Sequence, residues 1–176
     1  MSMDTALYVT PAQLAEKPGA RELAQVATRT RDAIVPDALM DATLRGSDRS
    51  AWTVAQLATA DEALARIMEA IQGAQGIIDG FLARTRPLPL PKVPSVVTVW
   101  ARAITRYQLH GDRSASETDD PIVRDYKDAL KFLQLTADGK FSLGLDDPVL
   151  TDPQLLDVRF KDDERVFDRA QMRHFR

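Results

Sequence analysis

TADEALARIMEAIQGAQGIIDGFLA, residues 59–83, is the stretch whose reading decides the fold. Thr59-Ala60-Asp61-Glu62 reads as a capping box, with acids placed to favour the helix dipole. Behind it Leu64, Ile67, Met68, Ile71, Ala74, Gln75, Ile78 and Leu82 recur at helical spacing and form one stripe. The stretch is therefore predicted as the longest helix of the chain, ending near Ala83. Gly73, Gly76 and Gly80 fall opposite the stripe, and each costs about 1 kcal/mol against alanine in a helix. Two readings fit them: tolerance in a helix already held by its stripe, or close approach by a second backbone such as a neighbouring subunit.

Working outward toward the C-terminus, an elbow follows: Arg84-Thr85-Arg86-Pro87-Leu88-Pro89-Leu90-Pro91-Lys92-Val93-Pro94. Proline fixes φ and pushes the residue before it toward extended backbone, so Pro87, Leu88, Pro89 and Leu90 form a stiff connector that sets the angle between two helices. Pro94 is expected to open the next helix as its first residue. On that helix Val97, Trp100, Ala101, Ile104 and Tyr107 share a face, while Arg102 and Arg106 share another. Such an arginine pair reads as a salt-bridged surface, with an anionic partner as the alternative. His110-Gly111-Asp112 reads as a turn after the helix. Asp119 or Asp120 caps a further helix with Pro121 at its start and Ile122, Tyr126, Ala129, Leu130 and Leu133 facing inward. Phe132 and Leu135 lie off that stripe on an outer face, which points to a partner surface. Gly139 ends the segment.

Toward the N-terminus, Thr10-Pro11-Ala12-Gln13 is a capping box with Val9 and Leu14 at the staple positions, and Pro18-Gly19 stops that short helix. A second short helix is expected over Arg21 to Ala27. Residues 28–58 give weaker signals: one or two helical turns over Asp37 to Leu44, a loop at Gly46 to Ser50, and Trp52, Val54 and Leu57 tucked under the neighbouring helices. Beyond Gly144 the helical period is lost. Residues 1–144 are read as one helical domain and 145–176 as an extended C-terminal docking arm. In that arm Arg159, Phe160, Arg165, Phe167, Arg169, Met172 and Phe175 interleave basic and large apolar side chains, with Asp162, Asp163, Glu164 and Asp168 largely cancelling the charge.

The whole is an all-α chain, since no alternating strand pattern persists. A chain of 176 residues with 44% hydrophobic content supports a single core. A formal charge of −3 argues against a general nucleic-acid binder. With no cysteine there is no disulfide frame, thiolate nucleophile or cysteine zinc site, and two distant histidines with scattered acids assemble no catalytic constellation. No secretory signal is recognisable and charges interrupt every apolar run, so the expectation is a soluble protein made in a cytosol, with no membrane partner, no metal and no cofactor.

One ordered set of motifs adds to this. A helix ending Ile78-Asp79-Gly80-Phe81-Leu82, then Pro87-Leu88-Pro89-Leu90, then a helix ending Arg106-Tyr107-Gln108-Leu109-His110-Gly111-Asp112, then Lys140-Phe141-Ser142-Leu143-Gly144, resembles the Mu-type phage head–tail connector (adaptor) family. The resemblance also covers most of residues 9–27 and returns in Arg165-Val166-Phe167-Asp168-Arg169; residues 28–58 depart from it. It implies a non-enzymatic virion protein, made in the host bacterial cytoplasm and placed in the neck. Its copies would form a homo-oligomeric ring against the portal protein and the tail or tail-completion proteins, with DNA passing through the lumen without sequence-specific binding. The resemblance makes Gly73, Gly76, Gly80, Phe132 and Leu135 candidates for the subunit interface, and the basic and aromatic residues of the arm candidates for partner docking. The rival reading from the residues is a small helical DNA-binding regulator, using the Arg102/Arg106 face or the basic tail.

Overall fold

A 29-residue helix, Val54–Leu82 (α4), forms the spine of the fold. At 1.5 Å per residue it is roughly 43 Å long. The computed structural model describes residues 7–111 and 120–144, and every regular element among them is helical, as the sequence predicts. Preceding the spine are α1 (Pro11–Leu14), α2 (Ala20–Ala27) and α3 (Asp37–Arg45); following it are α5 (Ser95–Leu109) and α6 (Pro121–Ala137). Helix α5 packs against both α4 and α6, while α2 and α3 pack against each other and against α4. A single core results, because the apolar stripe of each helix turns toward the spine.

On α4 the buried residues are Ala60, Ala63, Ile67, Ile71, Ala74, Ile78 and Leu82, spaced by three or four. The expected stripe is thus present, but Leu64, Met68 and Gln75 sit at its edges, only partly buried. The start of the helix is corrected. Thr53, not Thr59, is the N-cap: its hydroxyl accepts from the Gln56 amide at 3.3 Å and the Gln56 side chain accepts from the Thr53 amide at 3.1 Å. Thr59 lies inside the helix, its hydroxyl donating to the Ala55 carbonyl at 3.1 Å. Two capping patterns compete within seven residues. The upstream one wins because Leu57 and Ala60 then extend the apolar face toward the core. Thr53→Ala should therefore lower stability by about 1 kcal/mol and Thr59→Ala by no more than a few tenths, measured by urea unfolding of each variant.

The N-terminal region follows its sequence closely. Thr10 and Gln13 form the expected reciprocal capping box, and Val9 and Leu14 are fully buried beneath it. The helix breaks at Lys17 (φ −149°, ψ 119°), and Gly19 at φ 113° starts α2 from a backbone region that side-chain-bearing residues rarely adopt. Helix α3 is longer than one or two turns, and it buries Leu39, Met40 and Leu44 before Gly46 closes it in the left-handed conformation. Trp52 and Leu57 pack on the core as expected, whereas Val54 is 83% exposed: as the first helical residue it lies ahead of the first turn that meets the core.

At the elbow, Leu90 is buried and Leu88 packs against the core, so the leucines of the Pro87-Leu88-Pro89-Leu90 run anchor the connector while the prolines stiffen it. The Leu88–Pro89 peptide is cis. Pro94 proves to be the cap of α5 and not its first residue, since its ψ of 148° is still extended. Asp120 caps α6 by accepting from the Ile122 amide at 2.9 Å. Gly139 (φ 72°) reverses the chain after α6, and the amides of Lys140 and Phe141 return to the Leu135 carbonyl at 2.8 and 3.2 Å.

Candidate functional site

A groove of about 460 Å³ opens between α5, α6 and the residues leading into α2. Its apolar wall carries Val99, Trp100, Ala129 and Phe132, and its polar groups are Lys17, Glu22, Arg102, Arg106, Asp125 and Asp128. Trp100 and Phe132 are stacked at 6.3 Å with their planes 10° apart, and Phe141 leans on both at 5.9 and 5.5 Å. The helices that frame the groove are locked by a second pair, Tyr107 on Tyr126, with centroids 4.0 Å apart. Such aromatic contacts add about 1 kcal/mol each beyond the area they bury.

At one end of the groove Glu22 gathers two partners, Arg106 and His110. Arg106 donates to it bidentately, Nε to Oε1 at 2.6 Å and Nη2 to Oε2 at 2.7 Å, and His110 Nε2 lies 2.9 Å from Oε1. Burial alone would raise the Glu22 carboxyl. The hydrogen bonds and charge of Arg106 and His110 more than offset that and hold it below its usual range. Arg106 is correspondingly raised, chiefly by the Glu22 hydrogen bond. The sequence pairs Arg102 with Arg106, but the structure gives them different tasks. Arg106 clamps α5 to α2, whereas Arg102 lines the groove with its buried Nε left without a hydrogen-bond partner.

The residues proposed from the sequence for the subunit interface are placed as follows. Gly73, Gly76 and Gly80 all lie on the exposed side of α4. At Gly73 a side chain would meet the chain's own Gln108, whose Oε1 is 3.0 Å from where a Cβ would sit; Gly76 and Gly80 have open space. The close approach at Gly73 therefore comes from within the fold. Phe132 is 39% exposed and Leu135 is partly buried, so the outer face of α6 is apolar where the sequence places it. Arg159, Phe160, Arg165, Phe167, Arg169, Met172 and Phe175 lie outside the described residues, as does the arm as a whole.

Two long-range features carry no local signal. One is the Glu22–Arg106–His110 cluster, whose members are 84 and 88 positions apart. The other is the hydrogen bond from the Tyr8 hydroxyl to Asp79, where burial first, and then the bond and charge of Asp79, raise the phenol well above its usual range. His110 is thus more than the turn residue it reads as: it caps α5 and also holds Glu22. Among the described residues no group of three or more histidines and carboxylates could hold a metal ion, and no helix is long and apolar enough to cross a membrane.

The family profile described as "Bacteriophage Mu, Gp36" matches residues 8–160. The chain belongs to that family. The match spans every described helix and takes in residues 28–58, the segment expected from the sequence to depart from the family pattern. Among curated relatives, "Mu-like prophage FluMu protein gp36" of Haemophilus influenzae is 35% identical over 105 residues, covering 60% of this chain and 70% of that protein. "Gene product J" of Escherichia phage Mu is 30% identical over 112 residues, covering 63% of this chain and 75% of its own. This member of the Gp36 family is therefore an all-α, Mu-type phage protein.

Proposed function

We propose that the chain is a structural protein of the virion neck, a head–tail connector (adaptor) whose copies form a ring between portal and tail with a central passage for DNA. The observation that carries the reading is the Gp36 match over residues 8–160, on a chain whose motif order resembles the Mu-type connectors. The groove chemistry supports it. Glu22 is already committed to Arg106 and His110, which suits a rigid building block better than a proton-transfer site.

The protein works by interface geometry, without turnover. Its partners are other copies of itself, the portal protein, and the tail or tail-completion proteins. Duplex DNA passes through the lumen without base-specific contact, and a formal charge of −3 suits a channel that does not grip phosphates. The protein is made in the host bacterial cytoplasm and ends in the virion.

Native mass spectrometry with electron microscopy of the purified full chain, alone and with the portal protein of the same phage, tests this. A closed ring of identical subunits in at least one of the two samples is the expected result. A monomer in both would contradict it.

A further inference from the structure

We draw no further inference here: the strongest candidate, the aromatic-walled groove between α5 and α6 that exposes Val99 and Phe132, carries mixed charge from Lys17, Arg102, Asp125 and Asp128, and nothing in the structure shows what covers it.

Discussion

Replacing Ile71 with alanine should cost about 3 to 4 kcal/mol of unfolding free energy. Ile71 is 1% exposed on the spine helix, between Ile67 and Ile78, which are also fully buried. Removing three carbons there loses their transfer free energy and leaves a cavity that a helix locked on several sides closes poorly. Helix α4 is held by α5 and α6 as well as by α2 and α3, so no single neighbour can move in without leaving another contact. For a chain of this size the loss corresponds to roughly 10 °C in melting temperature. Val54→Ala, on the same helix but 83% exposed, is the control and should change stability by less than about 0.5 kcal/mol. Urea unfolding of the two variants decides the matter. An Ile71→Ala cost below about 1 kcal/mol would mean that the spine is not the centre of the core.

The second large effect is expected at Glu22. Glu22→Gln keeps the shape but removes the charge that Arg106 and His110 share, so Arg106 is left partly buried without its counter-ion. Full burial of an unpaired charge costs 3 to 5 kcal/mol in typical cases, on the order quoted for broken buried pairs. The side chains here retain 24% and 29% exposure, so solvent screening reduces the expected loss to about 2 kcal/mol at pH 7. The pH dependence has a definite sign. The folded carboxyl titrates below its ordinary value, so its contribution is complete above the unfolded pKa and disappears as pH falls through the folded one. Wild type and Glu22→Gln should therefore differ at pH 7 and converge below about pH 4. A difference equally large at pH 3 and pH 7 would show that the glutamine acts through packing and not through charge.

Much of this architecture is legible in the chain because local signals and global packing agree. Thr10 with Gln13, the Pro18–Gly19 stop, the stripe through Ile67, Ile71 and Ile78, Asp120 before Pro121, and Gly139 each announce their structural role within a few residues. The start of the spine is misread because Thr53-Val54-Ala55-Gln56 and Thr59-Ala60-Asp61-Glu62 both have capping chemistry; the choice depends on which register buries Ala60. Helix α3 is underestimated for a similar reason. Its apolar residues Leu39, Met40 and Leu44 make sense as a stripe only once α2 and α4 are in place to receive them.

The groove is half legible. Phe132 stands out as apolar on an outer face, and Arg102 and Arg106 stand out as a pair. That Arg106 is consumed by Glu22 while Arg102 is left facing the groove depends on a contact spanning 84 residues, which no local pattern encodes. The glycines of α4 teach the converse. A shared face suggests one cause, yet Gly73 makes room for Gln108 of its own chain while Gly76 and Gly80 have open space beside them.

The proposed role of this Mu Gp36 family member in joining phage heads to tails is tested by electron microscopy of a lysate from the phage carrying an in-frame deletion of this gene. DNA-filled heads and completed tails lying apart are expected in that lysate, and joined particles once the purified chain is added back. Normal joined particles in the deletion lysate, or separated heads and tails that the purified protein cannot join, would contradict it.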